Sequence, residues 1–307
     1  MTTDNHPREI LLTGGTGFIG VPLCQALQER GDRLTVLTRD TIRAAKTLGT
    51  GVSLVTELKQ LPDKPVDTVI NLAGEPLAAG RWNERRKEEF RRSRIGTTEA
   101  LLEHFQSRGS FPQRMVSGSA IGFYGDGGDT PLTETNGSGS GFAAQLCRDW
   151  EAVAERFSDH GTRVCRLRTG IVLGQDGGAL QPMLLPFKLG LGGRLGSGRQ
   201  WMSWIHRDDI VALILHCLDS ETLSGPVNGT APNPVTNRQF TRTLARVLHR
   251  PAIFPVPPFV LRTLMADMAD ELLLASQRVL PEVAIETDFQ HRFPDLGVAL
   301  ENILRKH

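Results

Sequence analysis

The chain has 307 residues, 39% hydrophobic and 22% charged, which is enough to bury a sizeable core in one large domain or two unequal ones and too apolar for a disordered or fibrous protein. Its 35 basic and 34 acidic side chains leave a formal charge of +1, so no net field gathers nucleic acid or an anionic membrane, and a small-molecule partner is expected. Cys24, Cys147, Cys165 and Cys217 are widely spaced without a C-x-x-C, a pattern that argues against a metal site or a disulfide framework and fits a reducing cytoplasm.

Residues 1–9 are polar and carry both charge signs, unlike a signal peptide. Every later apolar run is broken by charge or proline before the roughly 20 residues a membrane span requires. Apolar, β-rich runs at 10–13, 34–38, 68–72, 114–117 and 163–169 alternate with amphipathic stretches at 19–30, 84–108 and 142–158. Parallel strands need crossovers, so this rhythm predicts an α/β fold with a doubly wound parallel Rossmann sheet covered by helices. Past Gly170 the texture changes. Glycines crowd 174–198, prolines crowd 226–258, and helical periodicity returns over 259–280. A smaller C-terminal lobe is expected from 174–203 and 229–307, with 1–173 forming the dinucleotide-binding domain and 204–228 returning to it.

The strand at 10–12 runs into Thr13-Gly14-Gly15-Thr16-Gly17-Phe18-Ile19-Gly20 and then a helix. Gly14 suits a tight turn, Gly17 a close backbone approach to pyrophosphate, and Gly20 close helix–strand packing, while the helix end offers free N–H groups and a positive dipole. The second strand ends in Thr38-Arg39-Asp40, about 20 residues on, where an NAD enzyme places an acid on the ribose. Arg39 can fork a 2′-phosphate, with Thr38 and Arg43 adding contacts, which favours NADP over NAD. Asp40 keeps the alternative open, because a strand one residue longer would put its carboxylate in the selecting position. A second strand end, Asn71-Leu72-Ala73-Gly74, offers small residues against which a cofactor can lie.

These segments, together with SRIGTTEALL (93–102), SGSAIGFYG (117–125), CRDWE (147–151), LRTGIVLG (167–174), LPFKLGLGGRLGSG (185–198) and WIHRDDI (204–210), resemble the extended short-chain dehydrogenases/reductases, the NAD-dependent epimerase/dehydratase family. More narrowly the chain is similar to their atypical, epimerase-like branch, which carries a small conserved C-terminal domain, here about 253–300. The resemblance implies an NADP(H)-binding oxidoreductase or epimerase-like enzyme without naming its substrate, for which the loop arginines Arg194 and Arg199 would suit a sugar nucleotide, and it implies that Glu89 and Arg94 touch the cofactor rather than forming a solvated charged face. Ordinary members use Ser, Tyr-x-x-x-Lys and Asn. Here Ala143 and Cys147 stand for the Tyr and Lys, Arg94 stands for the Asn, and only Ser119 is retained.

The single tyrosine, Tyr124, is a candidate proton donor whose ordinary pKa near ~10 needs a nearby cation, for which Arg94 is the expectation. Otherwise it is pocket wall. Cys147 completes the catalytic candidates as a thiol, against the plainer reading of a small packed side chain. His206 reads as a fixed contact between the lobes, and the glycine-rich loop with Arg194 and Arg199 as a substrate-side element. The missing Tyr and Lys favour an alternative of another class, a non-catalytic NADP(H)-responsive binding or regulatory protein. The basic residues between Arg81 and Arg94 lack the aromatic-studded surface of a nucleic-acid binder.

Overall fold

A computed structural model describes residues 7–78 and 80–305, so the polar start read at 1–9 lies mostly outside the described residues. Seven strands, β1 (Glu9–Thr13), β2 (Arg33–Leu37), β3 (Val52–Val55), β4 (Thr68–Asn71), β5 (Arg114–Ala120), β6 (Arg163–Thr169) and β7 (Gly225–Gly229), pair in parallel in the order β7-β6-β5-β4-β1-β2-β3. The order reverses between β1 and β4. At that switch point Thr13 stands beside both Leu37 and Asn71, at the carboxyl ends of the strands, where open α/β sheets take their ligands.

Period-two alternation sends each strand's side chains to two covered faces. Ile10 and Leu12 pack with Leu23 and Leu27 of α1 (Gly20–Glu29) and, through the same cluster, with Ile210, Leu213 and Ile214 of the helix at Arg207–Asp219. Leu11, between them, faces the opposite cluster of Leu101, Leu102, Phe105 and Phe157. Each such side chain, fully buried, contributes about 1.5–3 kcal/mol. Helix α2 (Thr41–Leu48) joins β2 to β3. The stretch expected as one helix over 84–108 is α3 (Glu84–Arg91), a π-helical turn (Arg92–Gly96) and α4 (Thr97–Arg108), and the turn lies where the chain passes the site. Helix α5 (Phe142–Glu155) covers the sheet beside it.

The edge strands β3 and β7 escape the hydrophobic pattern because they are short and, in β7, built of Gly225-Pro226-Val227-Asn228-Gly229, a composition tolerated only at an edge. The expected helix over 259–280 is a correction. A helix at Pro258–Met265 ends at Ala266 with φ 52°, a π-helical turn follows at Ala269–Leu274, and Arg278–Val279 pairs as a short strand with Pro131–Leu132. Tertiary contacts override the periodicity: Asp267 pairs with Lys87, and both oxygens of Glu271 accept backbone amides of α5.

A second apolar cluster contains Phe187, Trp204, Phe240, Leu244, Phe293, Leu296 and Leu300, and it centres on the helices at Asn237–Leu248 and Leu296–Arg305. It is joined to the sheet by Asp209, whose carboxylate accepts the amides of Arg292 and Phe293 at 3.0 and 2.9 Å. Among the described residues no helix is long and apolar enough to cross a membrane.

The tightest constraint sits under the glycine loop. A Cβ on Gly20 would lie 2.2 Å from the Gly14 carbonyl oxygen and 2.7 Å from the Gly15 backbone. Because backbone cannot swing aside, Gly20→Ala is expected to lower stability by about 2–3 kcal/mol, read as the shift in urea midpoint at unchanged slope.

Candidate functional site

The loop between β1 and α1 turns at Gly14, where φ is 74° and a Cβ would meet the Leu72 carbonyl oxygen at 2.5 Å. The Gly17 amide closes that turn on the Gly14 oxygen at 3.0 Å. Gly17 itself is exposed, and a Cβ there would meet only the Gly14 oxygen, at 3.1 Å, so the loop presents bare backbone at the carboxyl ends of the strands. Gly15, which sequence reasoning left unassigned, packs against Leu12 and Val36. No side chain caps α1; within its first turn the Val21 amide already closes on the Gly17 carbonyl and Pro22 has no N–H, so the Gly20 amide and the loop before it are what the helix start offers, and Thr16 is half-buried at the loop's rim. Ile19 packs on the core beneath α1. Phe18 lies against Gly174, Gly177 and Gly178, under the Arg207 guanidinium 5.1 Å from its ring, so part of the glycine-rich stretch exists to seat this ring.

β2 stops at Leu37, so Thr38 and Arg39 form its tip. Asp40 is committed elsewhere: its carboxylate accepts the Arg43 amide at 2.9 Å and caps α2. Arg39 is 91% exposed and reaches Glu75 at 2.6 Å, and the Arg43 side chain is also exposed. The tip therefore offers two guanidinium groups, with the neighbouring carboxylate held by a helix end.

At the second strand end, Asn71 is fully buried and braced. It accepts the Thr13 hydroxyl at 2.6 Å and donates to Thr98 at 2.8 Å, and Thr98 in turn receives the Trp150 indole at 3.1 Å. Its side chain thus fixes the strand end, and the Leu72–Gly74 backbone does the facing. The Ala73 amide is tied to the Thr13 hydroxyl, and Gly74 lies under Arg94, 2.9 Å from a Cβ position. Arg94 donates to the Glu75 carbonyl at 2.9 Å and lies over the Trp150 ring; burial pulls its pKa down to about 10, which still leaves it charged at neutral pH. Glu89 pairs with Arg86 at 2.7 Å.

The catalytic candidates come together in one buried network. Ser119 on β5 donates to Glu151 of α5 at 2.6 Å, and Glu151 is gripped by Arg168 through two bonds of 2.9 and 3.0 Å. Arg168 also donates to the Tyr124 hydroxyl at 2.9 Å, and Tyr124 donates to Asn228 at 2.7 Å. Ser119 and Asn228 both stand directly beside Arg168 in strand register. The cation at Tyr124 is therefore Arg168, which corrects the expectation of Arg94. Burial outweighs that cation and pushes the phenol up from its ordinary value. Cys147 lies beside the same group, and burial raises its thiol to about 11, so it stays protonated at neutral pH. Arg168 and Glu151 were missed as site residues, although the quoted LRTG and CRDWE segments contain them.

Over Ala143 and Gly122 opens a cavity of about 370 Å³, closed on the far side by Arg262, Asp270, Glu271 and Leu274 of the C-terminal segment. Glu271, also missed, accepts the Phe142 and Ala143 amides at 3.0 and 2.6 Å, placing a carboxylate at the residue that replaces the family tyrosine. His206 caps the helix at Arg207–Asp219, accepting the Asp208 amide at 3.0 Å, and packs its ring 4.0 Å from Phe293, so it is a fixed contact of the second cluster. Among the described residues no group of three or more His, Cys, Asp or Glu could hold a metal, and all four cysteines are buried and free.

Residues 10–228 match the profile of the NAD dependent epimerase/dehydratase family, and 256–303 match a domain of unknown function, DUF1731. The chain belongs to that epimerase/dehydratase family. Epimerase family proteins of Staphylococcus saprophyticus and Bacillus subtilis are 39% and 36% identical to it, over 97% and 96% of this chain and 99% and 97% of theirs. A crystal structure of the human epimerase family protein SDR39U1 with NADPH superposes with a TM-score of 0.88 at 35% identity, covering 97% of this chain and 99% of that one. A nucleoside-diphosphate sugar epimerase from Corynebacterium glutamicum gives 0.78 at 33%, with 98% of this chain but 59% of that one covered. With both domains matched, the epimerase/dehydratase chain is an atypical extended short-chain dehydrogenase/reductase.

One carboxylate of this family member carries a pH signature. Glu134 accepts the amides of Asn228 and Val283 through one oxygen, while its other oxygen is buried with no partner among the described residues. Burial raises its pKa above the ordinary 4.5. A raised folded-state pKa means its stabilising contribution is complete below about 4.5 and is lost as pH rises through the folded value. Glu134→Gln is therefore expected to raise the melting temperature relative to the parent at pH 7–8, with the difference vanishing near pH 4; a difference independent of pH would contradict the assignment.

Proposed function

We propose that this protein binds NADP(H) and acts as an oxidoreductase or epimerase-like enzyme on a small substrate held in the cavity between the sheet and the C-terminal segment. The single observation that supports the phosphorylated cofactor is the state of the β2 tip, where Arg39 is exposed and held only by an ion pair to Glu75, and the Asp40 carboxylate is spent on capping α2. A human relative crystallised with NADPH supports the same reading.

Gly14 to Gly20 would receive the pyrophosphate on backbone amides, and Thr38, Arg39 and Arg43 the 2′-phosphate. Leu72, Ala73 and Gly74, with Asn71 behind them, would form the wall, and Arg94 and Glu89 its outer end. When bound, the nicotinamide would supply a hydride donor or acceptor. Ser119 would orient a substrate oxygen, with Glu151 holding the hydroxyl and Arg168 holding Glu151.

A second reading, a non-catalytic NADP(H)-responsive binding protein, is favoured by one specific feature: Tyr124 and Cys147 are buried with raised pKa values, and Ala143 stands where the family acid belongs. Substrate-dependent NADPH oxidation that is lost in Ser119→Ala decides for the enzyme. Normal NADPH affinity without turnover on panels of carbonyl compounds and sugar nucleotides decides for the binder.

For the cofactor, Arg39→Asp is expected to weaken NADPH by about tenfold or more in calorimetry and to leave NADH within a few-fold, since the 2′-phosphate then meets a carboxylate instead of a fork. Equal losses for the two nucleotides would remove the basis for choosing NADP.

A further inference from the structure

Charge is distributed unevenly in this nearly neutral chain. Residues 177–206 and 222–266 contain no aspartate or glutamate, yet hold Lys188, Arg194, Arg199, Arg238, Arg242, Arg246, Arg250 and Arg262. Three of these converge. Arg194, Arg238 and Arg242 line one cavity of about 390 Å³ together with Thr241 and an apolar wall of Ile253 and Pro255, and no carboxylate lines it.

Two of the three guanidinium groups are held by backbone alone. Arg194 donates to the Gly196 carbonyl at 2.7 Å while its chain lies on Gly198, and Arg238 reaches the Ser197 carbonyl at 3.5 Å. Arg242 has no hydrogen-bond or ion-pair partner among the described residues. Arg238 and Arg242 stand one turn apart on the same helix face, where like charges repel, and the end of that helix is already closed by a Thr236–Gln239 capping box. Arg238 and Arg242 are exposed, so water meets their donors in the free protein; a bound anion would take that water's place, remove the remaining repulsion and engage three forks at once.

We propose that this pocket of the C-terminal lobe is a phosphate-binding site for a soluble organic phosphate, separate from the glycine loop. The three forks match the oxygens of a phosphate or diphosphate group, and Ile253 and Pro255 offer an apolar surface to the organic part that carries it. The site stands independently of the cofactor assignment. It also touches the interlobe cavity through one short loop: Arg194 faces the pocket, while Gly196, two residues on, packs on Leu274 of the cavity wall. An anion on Arg194 would therefore fix the loop that helps close the substrate side.

The test is calorimetric titration of inorganic pyrophosphate into the full chain, first saturated with NADPH so that the glycine loop is filled, and in parallel into the nucleotide-free protein. Arg242→Glu is expected to weaken pyrophosphate at least tenfold in both, with far-UV spectrum and melting temperature retained, while Lys59→Glu, a surface charge reversal elsewhere, leaves it unchanged. Arg194→Gln serves as a second variant should Arg242→Glu fail to fold, with a loss of the same direction. The proposal is overturned if pyrophosphate gives no heat at millimolar concentration, if Lys59→Glu and Arg242→Glu weaken it equally, or if phosphatidylglycerol vesicles are bound while pyrophosphate is not. A failed NADPH titration would not touch the outcome, because the Arg242 dependence is read in the nucleotide-free protein as well.

Discussion

The two-bond grip of Arg168 on Glu151 is the interaction on which the rest of the site depends. Both side chains are 5% exposed, so neither charge has water to fall back on, and breaking such a pair by removing one partner typically costs about 3–5 kcal/mol. The pair ties α5 to β6 at the carboxyl end of the sheet. Through it Ser119 of β5, Asn228 of β7 and the turn carrying Tyr124 are held to one geometry. The Phe123 ring, 3.5 Å from the Arg168 guanidinium, closes the cation from above. What would be a set of loosely positioned polar residues is thereby one connected object, with each member hydrogen-bonded to at least one other.

That economy has a chemical consequence. In family members with a Tyr-x-x-x-Lys pair the acid is free to reach substrate; here the only tyrosine is spent inside the network, and the residue at the tyrosine position is Ala143. The space released above Ala143 is roofed by the C-terminal segment, whose Glu271 comes down onto the start of α5. The loss of the usual acid and the presence of the extra domain are thus features of the same place in the molecule.

Carboxylates that accept pairs of backbone amides recur wherever the two parts of the chain meet. Asp209 holds the amides of 292 and 293, Glu134 those of 228 and 283, and Glu271 those of 142 and 143. Each bond supplies an acceptor to a donor that would otherwise be orphaned at a buried turn or helix end, and at Glu134 burial of the charge works against the gain. These bonds act beside apolar clusters that also cross between the two parts, Val279 with Phe123 and Leu132 and Met268 with Trp82 and Phe90, and Glu134 accepts its position at the expense of an unpartnered oxygen.

By itself the sequence determined the parallel sheet, its central strands, the glycine turn and the absence of the tyrosine–lysine pair. Those features rest on local rules: period-two burial in strands covered on both faces, the positive φ that only glycine adopts freely at position 14, and residue identity at fixed spacing. Tertiary structure alone decided which charges meet. Arg168 replaced Arg94 at Tyr124, Asn71 turned inward, and the helix expected over 259–280 broke at Ala266, because each outcome depends on partners far away in the chain; the Asp40 cap on Arg43, three residues on, is local by contrast. The edge strand β7 belongs with the outcomes set by distant partners: pairing with β6, and not its Gly-Pro-Val-Asn-Gly composition, makes it a strand.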